Sequence, residues 1–354
     1  MPSDAASVRP VKVENPTSRD IADIAGVSQA TVSRALRNSP LVRKETRDRI
    51  QAIARELNYF VNRNAAGLRT QQSNTIALLL FDDASDTDTR MNLFLMSLLD
   101  SIVRIAANLG YDVLVSLQQL SDDWHIQYQA SNRADGLILL GYGDYMEYRE
   151  KLTALADANT RFMIWGPLIK GLPGHTFGCD NETGGYQATR HLIDIGRRNI
   201  AFIGSKSRRS PEHGARHAGY RRAQREAGIK RNERLRFAAD NSEHQGYTAT
   251  VQLLASGETF DAIFAGTDLI AIGAMRALQN AGKRVPEDVS VVGFDDMPLA
   301  AYVSPALTTV QQNSELGAEG LVNGIVGLIK GEPVESTLMA PKLIIRESCG
   351  ATDR

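Results

Sequence analysis

Gln29, Thr31, Ser33 and Arg34 take the polar positions of a stretch from Ser28 to Leu36, while Val32, Ala35 and Leu36 share its other side. Amide, hydroxyl and guanidinium groups set out this way can hydrogen-bond base edges and phosphates, and the N-terminal end of such a helix adds backbone N–H groups. A second set lies far along the chain. Arg216 brings a planar fork of donors and Asp295 a pair of acceptors. Adjacent hydroxyls on a sugar ring need both, because each gives and accepts a hydrogen bond. Trp165, ending an apolar run before Gly166, offers an aromatic face to the apolar side of a pyranose, or else fills a core. His213 and His217 flank Arg216 at helical spacing with no obvious carboxylate as a third metal ligand, so they read as polar residues at a cleft edge.

No pattern supports catalysis. Gly141-Tyr142-Gly143 lacks the third glycine of a dinucleotide fingerprint, and there is no G-x-x-x-x-G-K-[ST] loop, G-x-S-x-G elbow or H-E-x-x-H helix. The chain is expected to be no enzyme and to need no cofactor or metal.

The reading residues need a scaffold. Thr17-Ser18-Arg19-Asp20 offers an N-cap with an acidic residue three positions on, followed by Ile21, Ala22, Ile24 and Ala25 as an apolar face, and Gly26 stops that helix. Ser28 caps a second helix. Two short helices around a Gly turn spell helix-turn-helix. A third, Lys44 to Leu57, carries Ile50, Ile53, Ala54 and Leu57 at i, i+3, i+4, i+7 and closes a three-helix core.

Charge agrees with this division. The whole chain is near neutral at −1, but residues 1–70 hold 12 Lys/Arg against 7 Asp/Glu, while residues 71–354 hold 28 against 34. A basic head precedes an acidic body. At 354 residues the chain suits two or three packed units, with 43% hydrophobic and 23% charged residues typical of a folded protein. Neither a signal-peptide core nor a membrane-length apolar run is found, so a cytoplasmic location without membrane contact is expected. Cys179 and Cys349 lie far apart and read as inert packing.

In the body, strand-like runs at Ile76 to Phe81, Val113 to Leu117, Gly136 to Leu140, Arg161 to Trp165, Ile200 to Gly204, Ala262 to Ala265 and Val289 to Phe294 alternate with helical patterns. This is the βαβ order of doubly wound parallel sheets. About 275 residues are more than one such sheet needs, and ligands bind beyond the carboxyl ends of the strands. Two facing lobes would enclose one.

The string from Ile21 to Leu36, continued by Glu45-Thr46-Arg47, Glu56-Leu57-Asn58-Tyr59 and Asn62 to Arg69, resembles the DNA-binding headpiece of the LacI/GalR family of bacterial transcription regulators. The resemblance extends over nearly the whole chain through Phe177 to Asn181, Asn199 to Gly204, Val285 to Asp296 and Leu307 to Val310. It implies an α/β protein with an N-terminal three-helix helix-turn-helix headpiece and hinge helix, followed by a two-lobed periplasmic-binding-protein-like domain. The expected division is arm 1–16, headpiece 17–61, hinge helix and linker 62–72, effector-binding and dimerisation domain 73–346, and tail 347–354.

Carried over, the resemblance makes Gln29, Ala30 and Arg34 the major-groove contacts, and Ser28, Thr31 and Ser33 phosphate-side positioners. Leu68 would be a minor-groove wedge beside Asn62 and Ala65; Thr17 completes the expected DNA set. Val61 replaces the family's Pro before the hinge, which should loosen its entry. A hinge helix this short, containing Gly67, falls below the roughly 12 to 15 residues needed for marginal stability in water and must borrow stability from DNA and a partner hinge. Arg216, Asp295, Thr267, Asp268 and Gln312 match effector-binding positions, joined by Trp165 from its own position at a strand end. Thr267 stands where many relatives carry Asn, and Asp82 to Asp88 replaces an Asn-Pro-Phe segment, which reads as cleft lining or a solvated loop.

The function implied is a repressor of sugar-utilisation genes that binds palindromic operator DNA as a homodimer and responds to a small-molecule effector, here a sugar. The chain ends soon after Cys349, without room for a tetramerising heptad helix. A purine or other metabolite as effector, a sugar-binding protein without regulatory role, and a sugar-active enzyme are the alternatives.

Overall fold

The computed structural model describes residues 16–59, 72–82, 93–119, 128–129, 131–140, 149–207 and 210–351. The chain divides into two compact units between Ser73 and Asn74. Asn62, Ala65 and Leu68, and the Asp83 to Asp88 part of the acidic loop, lie outside the described residues.

The first unit is built from α1 (Ser18–Ala25), α2 (Gln29–Leu36) and α3 (Lys44–Glu56). Thr17 and Asp20 cap α1 reciprocally, the Thr17 N–H donating to the Asp20 carboxylate at 2.7 Å and the Asp20 N–H to the Thr17 hydroxyl at 3.4 Å. Gly26 ends the helix at φ 61°, a left-handed conformation open to glycine without steric cost. Ser28 then accepts from the Thr31 N–H and starts α2. Ile21, Ala22, Ala25, Val32, Ala35, Val42, Ile50 and Ala54 form the core, with Ile53 and Leu57 packed against it. Ile24, expected inside, is 56% exposed. Ile21 and Ala25, four residues apart, already fill the inward face and turn Ile24 outward.

The second unit holds two six-stranded sheets. In the first, β1 (Thr75–Asp82), β2 (Asp112–Gln119), β3 (Gly136–Leu140), β4 (Phe162–Trp165), β5 (His175–Cys179) and β11 (Thr337–Met339) run parallel in the order β11-β5-β4-β3-β1-β2. Its core includes α4 (Leu93–Asn108) and α10 (Ser314–Lys330), and α5 (Arg149–Asp157) packs with Leu152 and Leu155 on the opposite face.

The second sheet joins β6 (Ile200–Ile203), β7 (Arg236–Phe237), β8 (Ala262–Ala265), β9 (Ser290–Asp295), β10 (Thr308–Gln311) and β12 (Lys342–Ile344) in the order β12-β10-β9-β8-β6-β7, with only β12 antiparallel. Around it lie α6 (Asn181–Asp194), α7 (Pro211–Glu226), α8 (Glu243–Ala255) and α9 (Asp268–Asn280). The chain passes between the sheets after β5, after β10 and again between β11 and β12. The lobes are therefore interleaved in sequence rather than consecutive.

Candidate functional site

In the first unit, Thr17, Ser28, Gln29, Ala30 and Arg34 are exposed, and Thr31 and Ser33 are half-buried. Several are already engaged. The Gln29 amide donates to the Ser18 hydroxyl at 2.8 Å and bridges α1 to α2, while the Arg37 guanidinium donates to the Ser33 hydroxyl at 2.9 Å. Ser28 and Thr31 share a hydroxyl contact at 2.9 Å. Arg34 and Ala30 stand exposed on α2. The outcome is a polar, basic helix face presented to solvent on a core that α1 and α3 complete.

In the second unit, strand order decides where a site forms. β7 is added on one side of β6 and β8 on the other, both parallel to it, so the order in which strands are added reverses between β6 and β8. Crevices open at the carboxyl ends of such strands. Gly204 and Ser205 follow β6, Gly266 and Thr267 follow β8, Asp295 ends β9, and Gln312 follows β10. Arg216, from the second turn of α7, reaches this row. Its Nε donates to the Asn181 carboxamide oxygen at 2.8 Å and a terminal nitrogen to the Gly266 carbonyl at 2.5 Å; the guanidinium lies 3.7 Å over the Phe294 ring. Asp295 stands 3.5 Å from Arg216 and accepts from the Gln312 amide at 2.6 Å.

All three are buried, at 4%, 3% and 6% exposure. Burial pushes the Asp295 carboxyl up to about 6, against the opposing pull of Arg216 and of the Gln312 hydrogen bond. Asp295 also holds φ 116°, a backbone conformation that L residues rarely adopt and that clusters at ligand sites. The result is a fixed set of donors and acceptors in a dry setting.

Thr267 and Asp268 are placed beside this set in a holding role. The Thr267 hydroxyl caps α9 by accepting from the Ile270 N–H at 3.4 Å. Asp268 is fully buried, accepting from the Thr309 hydroxyl at 2.5 Å and the Met297 N–H at 2.8 Å, so it ties α9, β10 and the segment after β9 together. Burial first, then the Asp295 charge, raises its carboxyl well above the ordinary range. A Cβ on Gly293 would come within 2.3 Å of Asp268 Oδ1, so the bare glycine lets the carboxylate in.

Trp165 ends β4 and fits the core reading offered for it. It is 7% exposed and packs in the first lobe's core, 5.6 Å from the Phe94 ring and over Gly317, whose missing Cβ makes room for the indole. His213 and His217 part company: the His213 Nδ1 accepts from the Ser205 N–H at 3.0 Å, whereas His217 stacks on Tyr220 at 5.6 Å and meets Phe202 at 5.0 Å. Burial holds His213 down to about 3, hence neutral. Among the described residues no three His, Cys, Asp or Glu side chains gather as a metal site. Cys179 and Cys349 are buried free thiols, and burial pushes Cys179 up to about 12.

Sequence reasoning missed three members of the site. Asn181 orients Arg216; Phe294 underlies it; Glu212, partly buried four residues before Arg216 on α7, has its carboxyl raised by burial with Arg216 and Asp295 as charged neighbours. The signal for Glu212 was Pro211. A proline suits the first helical position, so α7 starts at Pro211 and brings Glu212 onto the Arg216 face.

Residues 17–62 match the description "Bacterial regulatory proteins, lacI family", and residues 189–349 match a periplasmic binding protein-like domain. The chain is 31% identical over 341 residues to the HTH-type transcriptional repressor PurR of Erwinia tasmaniensis, covering 94% of this chain and 96% of that one. The chain belongs to the lacI family. It is also 31% identical to the HTH-type transcriptional regulator CelR of Thermobifida fusca, over 94% of this chain and 98% of the relative. Among solved structures, the lac repressor dimer bound to operator and the anti-inducer ONPF is similar with TM-score 0.83 and 27% identity, covering 96% of this chain and all of that one. A CelR–cellobiose complex is similar with TM-score 0.68 and 31% identity, covering 94% and 99%. The regulator is thus a member of a DNA-binding family with a headpiece and an effector-binding body, not of an enzyme family. Among the described residues no helix is long and apolar enough to cross a membrane.

Proposed function

We propose that the regulator is a cytoplasmic repressor of sugar-utilisation genes whose operator affinity is set by a small carbohydrate held between the two lobes of its body. The observation that carries this reading is the buried Arg216–Asp295–Gln312 set at the carboxyl ends of neighbouring strands, where the sheet order reverses. A guanidinium, a carboxylate and an amide held against one another offer the mix of donors and acceptors that vicinal hydroxyls need. Thr267 and Asp268 fix the strand ends that carry them, and Asn181 and Glu212 complete the polar lining. The likeness to a CelR structure solved with cellobiose supports a sugar.

On the DNA side, Gln29, Ala30 and Arg34 read the major groove, Thr17, Ser28, Thr31 and Ser33 position the headpiece on phosphates, and Asn62, Ala65 and Leu68 act in the minor groove. Two headpieces of a homodimer address a palindromic site with half-sites about 10 bp apart. Released sugar and bound operator, or the reverse, then exchange through one reciprocal coupling.

The test is thermal unfolding of the full chain against monosaccharides, disaccharides, sugar phosphates and purines, followed by a mobility shift on DNA from its own locus. A ligand at 100 times its Kd adds about 2.7 kcal/mol to the native state. A shift by one sugar, lost in Gln312→Ala and Asp295→Asn, is the expected outcome. A shift by purines alone overturns the carbohydrate reading while leaving the site in place.

A further inference from the structure

Between Lys206 and Arg236 the sequence holds eleven Lys and Arg against three Glu, inside a body whose remainder is acidic. Some of this charge is spent on pairs that tie the surface down. Arg222 meets Glu182 at 2.7 Å and Arg234 meets Glu258 at 3.1 Å. Four of the others, Lys206, Arg221, Arg231 and Arg236, lie on or next to the elements at the outer edge of the second sheet, where β7 is the last strand.

Arg236 opens β7, and the Nζ of Lys206, from the loop after β6, donates to the Arg236 carbonyl at 2.9 Å. That contact ties the Lys206 ammonium to β7, in which Arg236 is the register partner of Phe202. Arg221, one turn beyond His217 on α7, and Arg231, just before the 3₁₀ turn Glu233–Leu235, share the single carboxylate of Glu233, Arg221 at 3.2 Å. The His217 imidazole lies among these groups, resting on Phe202 and Tyr220. Burial and the charges of Arg236, Arg221, Arg231 and Lys206 together hold it down to about 4.

His217 meets Phe202, the register partner of Arg236, and Arg221 follows it by one turn, so these cations gather on one edge, with Glu233 the carboxylate paired to Arg221 and Arg231. Among the described residues no carboxylate forms an ion pair with Lys206 or Arg236, and the Arg236 Nε is buried without a hydrogen-bond partner. Burying a charged donor beside a like charge is costly unless a counter-ion completes the set. Guanidinium forks with an ammonium nearby match the oxygens of a tetrahedral dianion.

We propose that Lys206, Arg221, Arg231 and Arg236, grouped around His217, form a binding site for a phosphate group, free or carried by a small metabolite. This site is separate from the Arg216 cleft: the neighbouring residues Arg216 and His217 leave the same turn of α7, the first toward Asp295 and the second toward Phe202 and Tyr220. It does not depend on the carbohydrate reading.

The test is calorimetric titration of the full chain with inorganic phosphate and with a sugar phosphate, against chloride at equal ionic strength. One phosphate should bind per chain. Lys206→Gln, at an exposed loop position, and Arg236→Gln should each weaken it about tenfold or more, while Arg225→Gln, which removes an exposed charge elsewhere on α7, changes it less than about twofold. Saturating phosphate should also raise the His217 imidazole pKa, read by proton NMR. Binding of the sugar phosphate but not of free phosphate, sensitive to Lys206→Gln, supports a carried group. No binding of either overturns the proposal. Equal weakening by Arg225→Gln would mean diffuse surface charge suited to an acidic protein face, and loss in Gln312→Ala would place the anion in the cleft; both overturn it.

Discussion

At the scale of single residues, Asp295 governs how the regulator should respond to pH. Its folded-state carboxyl, near 6, lies above the ordinary value of 3.8, so between those values the native state binds more protons than the unfolded chain. This residue's contribution therefore falls as pH rises from about 4 to 6. A ligand that needs the ionised carboxylate behaves oppositely: affinity for the carbohydrate found by unfolding should climb through pH 6 and level above it. Asp295→Asn, which keeps a carboxamide oxygen beside Gln312, should flatten that profile in calorimetry from pH 5 to 8. Arg216→Ala should be harsher, since it leaves Asp295 buried and unpaired, a change that costs about 3–5 kcal/mol; a variant that melts with the parent would contradict the pairing. Arg216 and Asp295 could be singled out from side-chain chemistry, but their 3.5 Å approach could not. They are 79 positions apart, and only the row of strand ends brings them together.

Elements show which local signals were enough. Ser28 and Gly26 marked the turn of the headpiece correctly because capping and a left-handed φ are short-range demands. Gly26→Ala should cost about 1–2 kcal/mol, for a Cβ at positive φ meets the following carbonyl, and should lower headpiece melting followed by circular dichroism. The helix α10 escaped the sequence reading for the opposite reason. Gly317, Gly320, Gly324 and Gly327 look like breakers in one dimension, yet Cβ atoms on the first three would lie within 2.8 Å of Trp165, Phe177 and Met163. Their bareness lets the helix approach the sheet, and that partner is invisible in sequence. The packing of α6 on α7 has the same character: a Cβ on Gly219 would lie 2.0 Å from the Glu182 carbonyl. Gly219→Ala should force the helices apart, destabilise the second lobe by about 1–3 kcal/mol in thermal unfolding, and weaken effector binding by displacing Arg216 without touching its chemistry.

For the whole molecule, a near-neutral average conceals a basic reading head and an acidic body, and operator binding should follow the head alone. Affinity measured by fluorescence anisotropy should fall by about 10³ to 10⁵ between 50 and 200 mM salt if six to ten phosphates are contacted; a flat salt response would contradict a phosphate-anchored mode. Operator and effector must also alter each other's affinity by the same factor. The amino-acid order by itself determined the headpiece, its caps and the alternation of strands and helices, because these depend on residues within a few positions of one another. The tertiary structure decided the rest. It returned the chain to each sheet out of sequence order, moved Trp165 into a core, tied Asp268 into the frame and set Asn181 and Phe294 against Arg216. Those outcomes depend on where distant segments pack, and no local pattern encodes the distance between two strand ends.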